Sequence, residues 1–361
     1  MANSSDATMH GELREIGSEF WDVPLASGEP ACLSGTILER QISAHLDETS
    51  FFSSGRAALG AILDDAIKRH GIQSVLMPAY CCESMIRPAA VRGLAIRYYS
   101  ITGSVGRGIR VDFGGQSADA VIVVDYFGLS FLDDSHCTFP DSLVIRDLTH
   151  SLFSSRPLGK GDYCFGSLRK WAGFYTGGIA WSPGCRLNPT YAEGVYEYAI
   201  IRKKAMEAKR QYINAESGSK DFLLDFARAE SLLESAKVSR ADDSDIDYLL
   251  MLDYVSICSA RKRNFDELMR ALRPMSLFSC CSSLDTPLFF PIMVAPSDRD
   301  ALRDHLIANQ IYCPVHWPVA NEKVRGLAPE LYSSELSLVC DQRYDERDMR
   351  RIADTVLSFW S

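Results

Sequence analysis

ADAVIVVDYFG, residues 118–128, is a run of β-branched and small apolar residues that ends in an aspartate and a glycine. With no polar alternation it reads as a strand buried on both faces, and its end reads as a turn. SLVIRDLTHS (142–151) repeats the design, an apolar strand running into a polar turn. Upstream, SVLMPAY (74–80) reads as a short buried strand stopped by Pro78, and LAIRYYS (94–100) as another. Helical spacing lies around them. SSGRAALGAILDDAIKRHG (53–71) has Ser53 or Ser54 as N-cap and Gly71 as C-cap, and CESMIRPAAVRG (82–93) follows. Strands alternating with helices in this way predict an α/β fold, a mostly parallel sheet sandwiched by helices. Ligands of such sheets sit beyond the carboxyl ends of the strands. Tyr80, Asp125, Tyr126, Asp147 and His150 occupy those ends and are expected to converge on one rim.

The remaining chain divides by composition. Residues 1–50 read as a polar tail with a docking segment at the apolar-aromatic Phe20-Trp21, and 51–190 as the large α/β domain. Residues 191–272 lack strand signals and read as a helical connector. YAEGVYEYAIIRKKAMEAKRQYI (191–213) and SDIDYLLMLDYVSICSARKRNFDELMRAL (244–272) are its clearest stretches, with a break at AESGSKD (215–221). Residues 273–361 return to alternation as a smaller C-terminal α/β domain: TPLFFPIMVA, DRDALRDHLIANQ, LSLVC and ERDMRRIADTVLSFW read as strand, helix, strand and helix.

Composition excludes several classes. Hydrophobic residues make up 47% and charged residues 24% of the 361, ordinary globular usage. Acidic residues outnumber basic ones 47 to 38, so no basic face is available for nucleic acid. No run reaches the length of a membrane span and the N-terminus lacks a signal-peptide core, which predicts a cytoplasmic protein. The eleven cysteines form no C-x-x-C pair, and the vicinal pairs Cys81-Cys82 and Cys280-Cys281 lack zinc-ribbon spacing. They read as reduced, mostly buried thiols. His136 and Cys137 lack further ligands at fitting spacing, so no metal is expected.

Three features carry chemistry. SSGRAAL (53–59) is a small-residue turn opening a helix, where free N–H groups and the helix dipole attract an anion and Arg56 adds a cation. Asp147 ends a buried strand, with His150 three residues on; such a carboxylate caps a turn or holds a cationic ring nitrogen. In GDYCFGSLRKWAGFYTGG (161–178), Lys170 sits among aromatic and small residues, company that depresses an amine pKa and suits a Schiff-base nucleophile; a lysine snorkelling off a helix would look alike.

In this order the three resemble a fold type I pyridoxal-phosphate (PLP) enzyme, and the chain resembles the DegT/DnrJ/StrS-type aminotransferases. SSGRAAL resembles the family's Ser-Gly-Thr phosphate turn, which implies phosphate contacts from Ser54, Gly55 and Arg56. VLMPAY resembles the strand before the cofactor-stacking segment, and RDLTHS the family's Glu-Asp-x-x-His/Gln element. The resemblance thus places Asp147 on the ring nitrogen and His150 near the ring's phenolic oxygen. GKGDYCFGSLRK resembles the family's lysine segment, which makes Lys170 the Schiff base and Ser167 a phosphate ligand. NQIYCPVHWP and LSLVCDQRYDERDMRRI resemble the small-domain segments; His316 reads either as a residue facing the active site or as a turn histidine packed by Trp317, and Arg343 and Tyr344 read as substrate contacts from the small domain.

Three departures stand out: Arg56 replaces the usual Thr, Cys82 the aromatic stacker, and the stretch from Asp162 to Lys170 is two residues short of the family pattern. Either Tyr80 takes the stacker's place or the ring is stacked more weakly. The family implies a seven-stranded-type sheet and a homodimer with sites between subunits, and residues Ser239–Ile246 are expected near the partner's site. It implies an aminotransferase working between an amino-acid donor such as glutamate and a keto-sugar, possibly nucleotide-linked. A different PLP reaction or a non-catalytic scaffold are the alternatives. The cluster Arg202-Lys203-Lys204 reads as a solvated helix face.

Overall fold

In the computed structural model, which describes residues 14–21, 35–130, 139–192, 196–234, 237–318 and 321–361, the chain begins with a two-residue strand, β1 (Ile16–Gly17). Helix α1 (Ile37–His45) follows, then β2 (Ser50–Phe52) and α2 (Gly55–His70). Ser54 caps α2 by accepting the Ala57 N–H, and Gly71 ends it in the left-handed conformation (φ 66°) that a glycine adopts without strain. Next come β3 (Ser74–Pro78), α3 (Glu83–Ala90), β4 (Ala95–Ser104), β5 (Gly108–Asp112), β6 (Ala120–Val124), β7 (Leu143–Asp147), β8 (Tyr163–Ser167) and β9 (Gly178–Trp181).

Eight strands form one sheet in the order β2-β9-β8-β7-β6-β3-β4-β5, rather than the seven expected. Strands β4, β3, β6, β7 and β8 run parallel; β9 is antiparallel to β8 and to β2, and β5 to β4. The extra edge arises because β4 runs on to Ser104 and turns back through Gly106 (φ 69°) as a hairpin. Every residue of β6 and β8 is buried, as the unbroken apolar run of β6 demanded. The strand order reverses between β3 and β6, which opens a crevice at their carboxyl ends.

The helices α4 (Tyr196–Ile213) and α5 (Phe222–Leu232) flank the expected break. The stretch 244–272 is not continuous: it divides into α6 (Asp243–Leu250) and α7 (Tyr254–Leu272), because the Asp253 carboxylate caps a new helix at the Ser256 N–H (2.9 Å). The C-terminal part comprises β10 (Phe289–Met293), α8 (Arg299–Ala308), β11 (Ile311–Tyr312), α9 (Glu322–Arg325), α10 (Pro329–Ser334), β12 (Glu335–Val339) and α11 (Glu346–Ser358). β10 and β12 pair antiparallel, while β11 pairs with β1, so residues near the N-terminus complete the C-terminal part.

Residues 37–45, expected within a tail, instead form α1, whose Ile37, Leu38 and Ile42 pack with Leu148, Leu152 and Phe153. The nine described cysteines are all free, and Cys280 is exposed rather than buried. His136 and Cys137 lie outside the described residues. Among the described residues no His, Cys, Asp and Glu cluster could hold a metal, and no helix is long and apolar enough to cross a membrane.

Candidate active site

β2 delivers the chain into α2 through Ser53 and Ser54. The Ser53 N–H donates to the Ser239 carbonyl (2.9 Å), and the two hydroxyls pair at 2.7 Å, which fixes where the helix begins. A Cβ on Gly55 would sit 3.1 Å from that of Ser167, so the glycine lets α2 close down on the end of β8. A Cβ on Gly178 would meet the Ser54 carbonyl oxygen at 2.0 Å, so this position admits glycine alone. Arg56, in the first turn, has Nε and Nη1 buried with no hydrogen-bond partner. A cation with two orphaned buried donors, at the positive end of a helix dipole, is a site prepared for an anion.

Asp147 ends β7 inside the same cavity. One carboxylate oxygen accepts the Thr149 N–H (2.8 Å), and among the described residues no cation lies within ion-pair distance. Burial therefore pushes its pKa up, against the pull of Thr149 and the more distant Lys170. A cation placed against this carboxyl would reverse that shift.

His150 reports the charge state of the lysine. Phe127 donates its backbone N–H to His150 Nδ1 (3.2 Å), from a left-handed turn (Phe127 φ 59°, Gly128 φ 74°) that follows β6. Nδ1 is thus an acceptor, and a neutral ring carries its proton on Nε2. Nε2 lies 3.1 Å from Lys170 Nζ, so the ring donates and the amine accepts. An amine that accepts does so through its single lone pair, the form in which a lysine acts as a nucleophile. Burial lowers the lysine pKa, and burial likewise holds His150 well below its ordinary value.

Lys170 itself ends a short 3-10 turn after β8 (residues 168–170) that is locked on both sides. Arg169 is bound to Glu230 (2.8 Å) and to the Tyr198 hydroxyl. Trp171, fully buried, donates its indole N–H to the Thr149 carbonyl (2.7 Å) and stacks on Phe153 with ring centres 4.5 Å apart. Asp245 then accepts the N–H groups of Tyr175 and Thr176. Ser239, bound at the start of α2, and Asp245, bound after the lysine turn, both lie within the segment expected near a partner's site yet make these bonds to their own chain.

The cavity formed by these elements measures about 100 Å3 and is lined by Ser54, Gly55, Arg56, Asp147, His150, Ser167 and Lys170, together with Tyr80 and Cys82. Asp125 and Tyr126, expected on the same rim, turn elsewhere. Asp125 accepts from Ser151 (3.1 Å) and faces Arg146 at 3.9 Å, while the Tyr126 hydroxyl donates to the Tyr80 carbonyl. Tyr80 is tethered by its hydroxyl to the buried Glu335 carboxylate (3.0 Å).

Sequence reasoning missed Trp317 and Arg169. The Trp317 ring lines this cavity, with Lys170 Nζ 5.7 Å and the His150 ring 5.8 Å from its centre. An aromatic residue beside the quoted His316 was the available signal. His316 is buried against Ser337 (3.0 Å) and faces a second cavity that shares Lys170, Arg169 and Trp317 with the first. Arg343 lines that second cavity but is bound to Asp341 (2.7 Å) and lies over Phe20 (4.0 Å). Tyr344 lines neither cavity; its hydroxyl accepts the Gly17 N–H (2.8 Å) and holds β1. Arg202, expected on a solvated face, is buried and bound to Glu19 (2.8 Å).

No family model matches the chain, and no curated protein sequence does. Solved structures do. Spr1654 of Streptococcus pneumoniae, assigned as a sugar aminotransferase and solved in its PLP form, superposes with a TM-score of 0.63 at 16% identity, over 96% of this chain and 98% of that one. The sugar aminotransferase CalS13 of Micromonospora echinospora gives 0.60 at 16% identity, over 89% and 91%. The aminotransferase TlmJ of Streptoalloteichus hindustanus gives 0.62 at 12% identity, over 90% and 88%. At these identities the likeness establishes the fold, which is the fold type I architecture that the resemblance implied.

Proposed function

We propose that the chain is a PLP-dependent aminotransferase of the DegT/DnrJ/StrS type, moving an amino group from an amino acid such as glutamate to a keto sugar of the kind used in polysaccharide biosynthesis. The observation that carries the reading is the buried Lys170 amine within hydrogen-bond distance of His150 Nε2 (3.1 Å), in the same cavity as Asp147. The likeness in fold to sugar aminotransferases along nearly the whole chain supports it.

The residues present fit the cofactor. The orphaned Nε and Nη1 of Arg56, with the first turn of α2, Ser54, Gly55 and Ser167, would hold a phosphate. The Asp147 carboxyl, buried without a cation, would hold a protonated ring nitrogen. When bound, PLP supplies an electron-accepting ring that lets a proton leave the donor's α-carbon.

The chain's own groups divide the remaining work. Lys170, its pKa lowered by burial, would serve as the nucleophile and as the base that carries that proton. His150, fixed by the Phe127 N–H, orients the amine through Nε2. Trp317 and the tethered Tyr80 wall the cavity and limit water at the reacting atoms. We further propose a homodimer in the cytosol, a reducing compartment in keeping with nine free thiols. Sedimentation of the purified protein tests the dimer.

The test of function is the absorption spectrum of the purified protein with PLP, before and after glutamate. A visible band that glutamate bleaches is expected. A band that glutamate and other amino acids leave unchanged would overturn transamination, and no band at all would overturn the cofactor.

A further inference from the structure

The second cavity, of about 500 Å3, lies on the other side of Lys170 from the helix start. Its walls come from far apart in sequence: the segment Gly17–Phe20, the lysine turn, Arg261 on α7, Arg303 and Ile307 on α8, and the chain from Tyr312 to Trp317. The first wall is a built feature. Gly17 (φ 98°) and Ser18 (φ 62°) are both left-handed, and a Cβ on Gly17 would meet the Tyr312 carbonyl oxygen at 2.1 Å. Arg343 holds this turn by donating to the Glu19 and Ser18 carbonyls (3.1 and 3.3 Å).

The charge of the lining is opposite to that of the protein. The chain carries a net charge of -9. The cavity has four arginines, Arg169, Arg261, Arg303 and Arg343, against two carboxylates, Glu19 and Asp341. Both carboxylates are already neutralised, Asp341 by Arg343 and Glu19 by Arg202 (2.8 Å). Arg169 is matched by Glu230. Two guanidinium groups are left with no carboxylate in ion-pair distance among the described residues. Arg261 is fully buried and spends its donors on Gln342 and on the Leu288, Pro287 and Trp171 carbonyls. Arg303 is half-buried, and its one bond among the described residues runs from Nε to the Cys313 carbonyl (3.4 Å). Its two terminal nitrogens, the planar fork that grips oxyanions, are unused.

We infer that this cavity binds the oxyanion end of the substrate, with Arg303 as the residue that grips it and Arg261 as the buried charge behind it. The inference rests on the reading of Lys170 as the reacting amine, because the cavity joins that amine to Arg303. Uncompensated cations lining a concavity in an acidic protein concentrate anions where a neutral sugar or amine would gain nothing. The shared chemistry is a carboxylate or a phosphate. The first would belong to the amino donor, the second to a phosphorylated acceptor.

The test is calorimetric titration of the full-length protein, preincubated with PLP, with two unreactive probes, glutarate and inorganic pyrophosphate. Saturable binding of at least one is expected, with its Kd raised about tenfold or more in Arg303→Gln, the worth of one charge-assisted contact. Arg303→Lys should recover part of the affinity, while Arg347→Gln, which removes an exposed charge elsewhere on the surface, should change nothing. Loss of glutarate binding alone assigns the site to the donor carboxylate; loss of pyrophosphate binding alone assigns it to an acceptor phosphate. An inference of oxyanion binding is overturned if neither probe saturates the wild type, or if Arg303→Gln binds both as tightly. Failure of the aminotransferase reading shows separately, as absence of a PLP absorption band, and leaves the two titrations readable.

Discussion

Two turns in this molecule carry a basic residue beside an aromatic one, and each holds residues that read as site residues in the sequence: Lys170 in Arg169-Lys170-Trp171 after β8, and Arg343 and Tyr344 after β12. They are opposites in polar accounting. Around the first, capacity is left over. Among the described residues, Arg56 has two buried donors with no partner, Asp147 is a buried carboxyl without a cation, and the buried Lys170 amine makes one hydrogen bond, to His150. Around the second, everything is used. Arg343 satisfies Asp341, Ser18 and Glu19, stacks over Phe20 and Trp21, and Tyr344 takes the Gly17 N–H. Leftover polar capacity in a buried place costs folding free energy and persists where a ligand offsets it. Satisfied capacity holds chain segments together. The first turn is therefore built for chemistry and the second for architecture, and substitutions should separate them.

The largest effect is expected at the first. Lys170→Ala should reduce the glutamate-dependent spectral change by at least about a thousandfold, since it removes both nucleophile and base. Its thermal midpoint should stay at or above that of the wild type, because the amine is buried and makes a single hydrogen bond, to His150. A variant that still responds to glutamate at near wild-type rate would show that another group reacts.

Arg343→Ala should do the reverse. Removing the guanidinium leaves the Asp341 carboxylate buried without its partner, a loss of about 3 kcal/mol in denaturant unfolding. With the pair intact, and despite burial, Arg343 holds the Asp341 pKa below its ordinary value. That stabilisation is present above the unfolded carboxylate pKa and is lost as pH falls through the folded one, so the variant and the wild type should converge in acid. PLP affinity should be unchanged. A variant as stable as the wild type with weakened PLP binding would erase the distinction between the two turns.

Legibility in the sequence followed the same division. The strand ends Asp147, His150 and Ser167 were readable because each is a local event, an apolar run breaking into polar residues, and the Ser54 cap and Gly55 were readable from one helix start. Contacts between distant segments were not. Arg202 looked like a surface cation because its partner Glu19 lies 183 residues away, and Tyr344 like a substrate contact because Gly17 lies 327 away. The short strands β2 and β9 gave no periodic signal, for strands of three and four residues lack the length to display one. Trp317 entered the cavity by tertiary approach alone, from the C-terminal part to the ends of β3 and β7.

Arg56→Gln sharpens the comparison within the first region. If the orphaned guanidinium is kept for a phosphate, PLP should bind about thirtyfold more weakly, roughly 2 kcal/mol for charge-assisted contacts. The protein without PLP should be no less stable, since two unmatched buried donors have been removed. Equilibrium titration with PLP and thermal melts of the PLP-free protein measure the two sides. Equal loss in both would make Arg56 a structural residue like Arg343.

The smallest effect expected lies under the second turn. Lys209 is buried, donates to the Glu19 carbonyl and faces the Trp21 ring at 5.4 Å, so it supports the same segment that Arg343 holds. Burial, together with the Arg343 charge, lowers its pKa to about 7. An unfolded lysine titrates near 10.4, so between about pH 7 and 10 the unfolded chain binds more protons than the folded one. Stability contributed at this position must rise with pH across that window and is at its lowest below pH 7. Lys209→Met keeps the apolar stem and removes the titration. Subtracting its unfolding free energy from that of the wild type at each pH isolates the lysine from buried thiols and phenols that titrate in the same range. A difference that climbs with pH would mean that this segment, although fully hydrogen-bonded, still carries one charge it would fold better without. A flat difference would mean the Glu19 carbonyl solvates the ammonium fully, and the second region would then be as completely satisfied as its hydrogen bonds suggest.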